Sequence, residues 1–109
     1  MTTTLKLLAA ALLLAMSSAH AANLDAGKQK AQEVCQACHG MDGLSANFAE
    51  YPKIGGQHRD YLAKALRDYK SGMRKNPIMG AMAQPLTAQD IDNMAAYYAS
   101  QPGPLKSLY

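Results

Sequence analysis

Residues 34–40 read Val-Cys-Gln-Ala-Cys-His-Gly, and this segment contains both cysteines of the 109-residue chain. Cys35 and Cys38 are three positions apart, a spacing that on a helix places two side chains on one face with Cβ atoms about 5–6 Å apart. His39 follows the second cysteine directly. Two thiols and an imidazole within five residues indicate a binding site, and the rest of the sequence bears on what is bound there.

The Cys35-x-x-Cys38-His39 spacing predicts covalent attachment of one haem c. Two thiols on one helix face match two vinyl groups on one edge of a porphyrin, so each cysteine can form a thioether. The histidine directly behind the second thiol can then reach the iron from one side of the ring. We therefore expect His39 to be the proximal axial ligand.

Three other uses of the cysteine pair compete with haem attachment. A redox disulfide of the thioredoxin kind occurs beside a βαβ pattern, and this sequence predicts no strand. A closed zinc site needs four ligands, and once His20 is removed with the leader only His58 is left besides the histidine of the motif. A plain structural disulfide in an exported protein is the third alternative.

The N-terminus has the pattern of an export signal. A short polar start with one positive charge precedes the apolar run Leu7–Met16, and Ala19 and Ala21 fit the small-residue rule of signal peptidase. We therefore expect residues 1–21 to be a cleaved signal peptide and residues 22–109 to be a single domain. A bilayer span needs about 20 apolar residues, so we expect no membrane span in the mature form, an uncleaved anchor being the alternative.

The composition excludes some partners and suggests a bound group. Loss of Lys6 with the leader lowers the formal net charge from +3 to +2, which is too small and too mixed to indicate binding to nucleic acid or to an anionic membrane. The chain has no tryptophan and one phenylalanine. A domain this small buries a modest core and commonly depends on a disulfide, metal or cofactor for stability.

The hydrophobic pattern predicts an all-α domain with three main helices and two long loops. Asp25 is the expected N-cap of the first helix, which runs to about Cys38. The second helix is expected from about His58 to Gly72. The glycine- and proline-containing segments between the helices, residues 40–57 and 72–86, are predicted to be irregular. Loops of this length in a small domain are expected to wrap around something.

The last helix has the clearest start signal of the chain. Thr87 and Asp90 form a capping box, and Leu86 and Ile91 occupy the two positions of a hydrophobic staple. Prolines shortly after residue 101 prevent the helix from continuing.

Met79 and Met82 are the candidates for the second axial position of the iron. Both lie in the 72–86 loop, where the backbone can pass across a flat ring. Met41 follows the proximal histidine too closely to reach the other face, and Met94 lies on the apolar stripe of the last helix, where packing explains it. The residues alone favour neither Met79 nor Met82.

The ordered set of motifs resembles a class I bacterial c-type cytochrome, in particular a single unit of the diheme periplasmic cytochromes c. The resemblance implies a small cytochrome c fold wrapped around one haem, and a periplasmic location. The matching pieces cover nearly all of residues 25–101 and are Asp25-Ala-Gly-Lys, CQACHG, MDG, Tyr51-Pro-Lys-Ile-Gly-Gly-Gln57, Tyr61-Leu62 with Leu66, Gly72-x-Arg74, Pro85-Leu-Thr and Met94-Ala-Ala-Tyr-Tyr98.

The same resemblance implies roles for single residues of the site. Met79, seven residues before the leucine that introduces the last helix, corresponds to the distal axial ligand, with Met82 in reserve. Pro52 corresponds to the proline whose carbonyl accepts the Nδ1–H of His39, and Ile54 to a residue that packs on the ring.

A further implied role concerns the packing of the helices. Gly27 corresponds to the glycine at which the first and last helices cross, where a side chain would keep the backbones apart. Met94 and Tyr97 are the residues expected opposite it.

These features together predict a monomeric periplasmic one-electron carrier, not an enzyme. Histidine and methionine ligation leaves no vacant coordination site, and methionine sulfur raises the reduction potential. Redox partner proteins are expected to dock on the basic face of residues 53–75 or at the haem edge. Alternatively, the basic residues of this segment form a solvated helix face and balance the negative charges of the haem propionates. The alternative functions are a haem protein with an open or labile sixth site, peroxidase-like or gas-binding, and an accessory cytochrome subunit of a larger redox enzyme.

Overall fold

The computed structural model describes residues 21–108, and this part of the chain is helical, without a β-strand. The all-α prediction is therefore confirmed. Of the expected signal peptide, residues 1–20 lie outside the described range. The helices are α1 (Leu24–Lys30), a π-helical turn (Ala31–Cys35), α2 (Gln36–His39), α3 (Arg59–Ser71), α4 (Pro77–Ala83), α5 (Ala88–Ser100) and a 3₁₀ turn (Pro104–Leu108). None of the helices within residues 21–108 is both long enough and apolar enough to cross a bilayer.

The first helix begins earlier than predicted. Asn23 is the N-cap, with its side-chain oxygen accepting from the Ala26 N–H at 3.0 Å, and Asp25 lies in the first turn. The prediction of Asp25 as the cap was wrong because Asn and Asp cap equally well. The backbone N–H of Asn23 also donates to Oδ1 of Asn93 at 2.8 Å, a contact across 70 residues that local sequence does not reveal.

The segment 72–86, predicted to be irregular, contains α4. Asn76 caps this helix, and its Oδ1 accepts from the N–H groups of Ile78 and Met79 at 3.0 and 2.9 Å. Pro77 opens the helix, where its missing N–H is not needed and its fixed φ suits the first turn. The prediction of an irregular segment was wrong because Pro77 starts a helix in this segment and Gly80 is tolerated inside it.

The start of α5 confirms the predicted capping box. Asp90 N–H donates to Oγ1 of Thr87 and the Thr87 N–H donates to Oδ2 of Asp90, each at 3.0 Å. Leu86 and Ile91 are each 2% exposed, as a hydrophobic staple requires. The beginning of α5 is thus packed into the core through Leu86 and Ile91, and the capping box satisfies two of its backbone N–H groups.

α5 packs against both α1 and α3, and α4 packs against α3. At the crossing of α1 and α5, a Cβ atom added to Gly27 would lie 2.1 Å from the carbonyl oxygen of Asn93 and 3.1 Å from Cβ of Tyr97. Tyr97 faces the glycine as predicted, but Asn93 takes the place expected for Met94. Residues four apart share a helix face, so residues 93 and 97 contact α1 together, while Met94 points to a different side of α5.

Candidate functional site

The cysteines and histidine of the motif lie at the end of the first helical segment. The π-helical turn Ala31–Cys35 changes the helical phase just before Cys38 and His39, and such turns are common at functional sites. Gly40, at φ 78°, ends the helix. Both cysteines are free thiols and partly buried, and the histidine is buried.

The His39 ring is oriented by a backbone carbonyl. Its Nδ1 lies 2.9 Å from the carbonyl oxygen of Pro52. Because a carbonyl only accepts, Nδ1 carries the proton, and Nε2 is left with a lone pair that can bind a metal. Ser45 Oγ donates to the same carbonyl oxygen at 3.0 Å, and the Tyr51 ring lies 6.3 Å from the imidazole.

The loop after His39 is tied to α5 by two tyrosines. Tyr97 donates its hydroxyl to the carbonyl of Met41 at 2.8 Å, and Tyr98 donates to the carbonyl of Gly40 at 3.0 Å. Burial raises the pKa of both hydroxyls above the ordinary value. Both tyrosines therefore stay neutral donors throughout the physiological range, and the loop keeps its position.

Cys35 lies deep in the same region. Its Sγ is 3.8 Å from Sδ of Met94. Burial raises the pKa of the Cys35 thiol to about 11, a shift partly offset by a hydrogen bond with Tyr98. At neutral pH this side chain is therefore a thiol, not a thiolate.

Two adjoining cavities open beside the motif, of about 300 Å³ and about 270 Å³. We call them the Arg74 cavity and the Cys38 cavity, because each of these residues lines one of them alone. Volumes in this range are typical of small-molecule and cofactor sites. The two cavities are parts of one cleft, since they share the lining residues Cys35, His39, Pro52, Leu66, Tyr69, Met79 and Met94.

The structure separates the two candidate methionines. Met79 is partly buried and lines both cavities, as His39 does. Met82 lines the Cys38 cavity alone and is 43% exposed. Ile54 lines the Arg74 cavity. The fold thus brings the predicted site residues to one cleft, with Met82 at its outer edge.

The two ends of the cleft differ in charge. Lys53 and Arg74 line the Arg74 cavity, whereas Glu50 lines the Cys38 cavity. Arg74 donates from Nη1 to the Tyr61 hydroxyl at 3.2 Å, and its guanidinium lies 5.0 Å from the centre of the Tyr69 ring. The hydrogen bond with Tyr61 is the main cause of a raised pKa for Arg74. One end of the cleft therefore presents fixed positive charge.

The donor set fits haem c better than a bare metal ion. No group of three or more His, Cys, Asp or Glu side chains that could hold a metal ion occurs among the described residues, and a closed zinc site needs four protein ligands. A porphyrin brings four nitrogen ligands of its own, so the protein has to provide only axial donors and thiols. A mostly apolar cleft with an imidazole, a methionine sulfur and two thiols meets this requirement.

The comparison with known families agrees with the fold and the cleft. Residues 24–101 match the family model described as Cytochrome c, and the chain belongs to this family. The family implies covalently bound haem c. The prediction of a small cytochrome c fold is confirmed.

The similar proteins are mostly longer than the matched segment. The chain is 49% identical over 77 residues to a cytochrome c4 of Thiocapsa roseopersicina, which covers 71% of this chain and 39% of the relative. It is 42% identical over 65 residues to a thiosulfate dehydrogenase electron acceptor of Thiomonas intermedia, covering 60% of this chain and 30% of that protein. The crystal structure of reduced cytochrome c4 from Pseudomonas stutzeri superposes with a TM-score of 0.69 at 41% identity, over 76% of this chain and 47% of that one. The chain spans less than half the length of these relatives.

Sequence reasoning missed several residues of the cleft. Met94 is 1% exposed and was explained by core packing, yet it also lines both cavities and contacts Cys35. Tyr69 also lines both cavities, and its ring contacts the guanidinium of Arg74, a role that local sequence did not indicate. Helical periodicity identified the apolar faces of α3 and α5 without showing which part of each face borders a cleft.

Proposed function

We propose that this chain is a one-electron carrier with one covalently attached haem c, ligated axially by His39 and Met79. The observation that carries the proposal is that both side chains line both adjoining cavities, beside Cys35 and Cys38. When bound, the haem supplies an Fe(III)/Fe(II) couple that takes up and gives back a single electron.

The residues of the motif hold and orient the group. Cys35 and Cys38 would form the two thioethers at the Cys38 cavity, and His39 would offer Nε2 to the iron. The 2.9 Å contact of Nδ1 with the Pro52 carbonyl keeps the required tautomer and increases the basicity of the imidazole. Ile54, which lines the Arg74 cavity, would pack against the ring and exclude water.

Met79 would be the second protein ligand of the iron. A thioether is a soft ligand that favours the ferrous state, so it would raise the reduction potential. With His39 and Met79 both bound, no coordination site would be left for a substrate or gas. We therefore infer an electron-transfer protein and not an enzyme.

Arg74 and Lys53 are proposed to face the carboxylates of the haem. They are the cations that line the Arg74 cavity, and the hydroxyl of Tyr61 and the ring of Tyr69 hold the guanidinium in place. The anionic edge of the cofactor would then lie at the end of the cleft opposite Cys38.

We also propose that the protein works in the periplasm as a monomer, with residues 1–21 removed as a signal peptide and residues 22–109 forming one domain. Redox proteins would approach at the haem edge near Cys38, where Ile78 and Met82 are 52% and 43% exposed. Of the basic residues 53–75 that line neither cavity, Arg59 and Lys75 have no side-chain hydrogen bond or ion pair within residues 21–108, which leaves their side chains available to an acidic partner.

A second candidate function is that of an electron-accepting subunit of a larger redox enzyme. It is favoured by the similarity to a protein named thiosulfate dehydrogenase electron acceptor. The chemistry at the cleft is the same in both cases. Purification under mild conditions distinguishes them, since an accessory subunit stays in a complex and a free carrier does not.

Visible spectroscopy of two methionine variants tests the main proposal. Met79→Ala should abolish the sulfur-to-iron charge-transfer band, lower the midpoint potential and allow carbon monoxide to bind to the reduced protein. The matched variant Met82→Ala should keep the band and bind carbon monoxide as weakly as the wild type. Loss of the band in Met82→Ala alone would refute Met79 as the ligand, and a colourless exported protein would refute haem attachment.

A further inference from the structure

The helix that contains Met79, α4, buries few apolar side chains. Within α4 only Ala83 is buried, and Ile78 and Met82 are 52% and 43% exposed. A seven-residue helix is too short to be stable by itself in water. Its position over the cleft therefore depends strongly on hydrogen bonds at its two ends.

The N-terminal end is held by Asn76, whose side chain accepts from the backbone N–H of Met79 at 2.9 Å. This bond is local to α4 and shapes its first turn. It does not connect α4 to the rest of the protein, so a second fixation is needed to hold the helix against the cleft.

The C-terminal end is held by a reciprocal pair of hydrogen bonds to Lys70. The ammonium group of Lys70 donates to the carbonyl oxygen of Leu86. In the opposite direction, Gln84 Nε2 donates to the carbonyl oxygen of Lys70 at 2.8 Å. Lys70 lies in the last turn of α3, where carbonyl groups have no partner within the helix, so Gln84 satisfies a group that would otherwise face water.

We propose that Lys70 and Gln84 form a clasp that keeps Met79 at the iron, which makes them positioning residues for the axial methionine. This inference rests on the proposed function. The clasp joins α3, which lines the cleft with Leu66 and Tyr69, to the segment that follows α4. Both hydrogen bonds oppose movement of α4, and of Met79 with it, away from the cleft.

Lys70 is well suited to this role. Its ammonium group forms no ion pair with a carboxylate in the described part of the chain, so the Leu86 carbonyl is its partner. A hydrogen bond from a charged donor is stronger than one between neutral groups. Leu86 is 2% exposed and lines the Cys38 cavity. The hydrogen bond from Lys70 is therefore made to a residue whose side chain is already packed in the core.

Carbon monoxide binding to the reduced holoprotein measures how often Met79 leaves the iron. Lys70→Met and Gln84→Leu each remove one donor while keeping the length of the side chain approximately. Each should raise the apparent affinity for carbon monoxide about tenfold, the effect of losing one such hydrogen bond, with unchanged haem content and a weaker sulfur-to-iron charge-transfer band. Lys70→Arg retains a charged donor and should resemble the wild type.

Lys28→Met and Gln29→Leu are the matched controls. Both residues are exposed on α1, and neither side chain has a partner among the described residues. Carbon monoxide affinities of Lys70→Met and Gln84→Leu equal to those of the controls would overturn the clasp, even if the melting temperature fell, because a structural role alone lowers stability without releasing Met79. A wild-type protein without haem or without the charge-transfer band would instead overturn the proposed function.

Discussion

His39 Nδ1 and Ser45 Oγ share one acceptor, the carbonyl oxygen of Pro52, at 2.9 and 3.0 Å. Ser45 is 5% exposed and has φ 53°, so a buried residue in a left-handed conformation lies beside His39. Because the two donors share one acceptor, each hydrogen bond to the carbonyl oxygen weakens the other. The serine hydroxyl therefore moderates how strongly Pro52 polarises the imidazole.

Replacing Ser45 should lower the midpoint potential. Without the hydroxyl, the Pro52 carbonyl accepts more strongly from His39, the imidazole becomes a better donor, and the ferric state is favoured. We expect Ser45→Gly and Ser45→Ala to shift the potential downward by about 20 mV, equivalent to about 0.5 kcal/mol. Redox titration measures the shift, and an unchanged or higher potential would contradict the shared-acceptor effect.

The two Ser45 variants should differ in stability. Glycine adopts φ 53° without a steric penalty, whereas alanine is disfavoured there, so Ser45→Ala should be about 1 kcal/mol less stable than Ser45→Gly. Chemical denaturation of the two holoproteins gives this difference. Equal potentials with unequal stabilities would separate the electronic effect of the hydroxyl from the backbone effect.

Gly27→Ala should destabilise the fold strongly. The new Cβ would lie 2.1 Å from the carbonyl oxygen of Asn93, and backbone atoms on both sides must move apart to admit it. We expect a loss of about 3 kcal/mol in the free energy of unfolding.

Gly80→Ala is the matched control for Gly27→Ala. Gly80 is also helical, but the nearest atom to an added Cβ is the Tyr69 carbonyl oxygen at 3.9 Å. Alanine is favoured over glycine inside a helix by about 1 kcal/mol, so this variant should be neutral or more stable than the wild type. Similar melting temperatures for the two variants would refute the close crossing of α1 and α5.

Arg74→Gln should lower the midpoint potential, because a positive charge near the cofactor favours the reduced state. A contribution on the order of 1 kcal/mol corresponds to roughly 40 mV. Arg67→Gln is the control, since Arg67 lies 3.9 Å from Asp92 and lines neither cavity. Equal shifts in both variants would show that net charge, not position at the cleft, sets the effect.

Tyr61→Phe removes the hydroxyl that accepts from Arg74 at 3.2 Å and keeps the ring. Its effect on the potential should have the same sign as that of Arg74→Gln and be smaller, because the guanidinium stays in the protein but is held less firmly.

Neutralising unpaired cations should slow electron transfer to an acidic redox protein. We expect Arg59→Gln together with Lys75→Gln to reduce the second-order rate constant about threefold at low ionic strength and to weaken its salt dependence. Lys64→Gln is the control, because Lys64 already pairs with Asp68. Stopped-flow measurements across a range of salt concentrations test this, and salt-independent wild-type rates would rule out a docking role for these cations.

The helices were largely predictable because their signals are local. Periodic apolar residues indicated α1, α3 and α5, and the Thr87 capping box is formed by residues three apart. The predictions failed where a local signal was ambiguous. Asn23 and Asp25 are equally good caps, and Pro77 can end one element or begin another.

The site was predictable to the extent that its residues are adjacent in the chain. Cys35, Cys38 and His39 form one continuous motif, and a spacing rule is enough to indicate their chemistry. The contacts of Arg74 with Tyr61 and Tyr69, by contrast, join α3 to the loop that follows it. The Lys70 clasp likewise joins α3 to the segment after α4.

The order of residues along this chain was enough to predict the thiol and histidine donors, the all-helical class and the cap of the last helix, because each depends on neighbours a few positions apart. Which methionine borders both cavities and which residue meets Gly27 depend on segments tens of residues apart. Those relations exist once α1, α3, α4 and α5 have packed together, since packing, and not proximity along the chain, selects the side chains that share a surface.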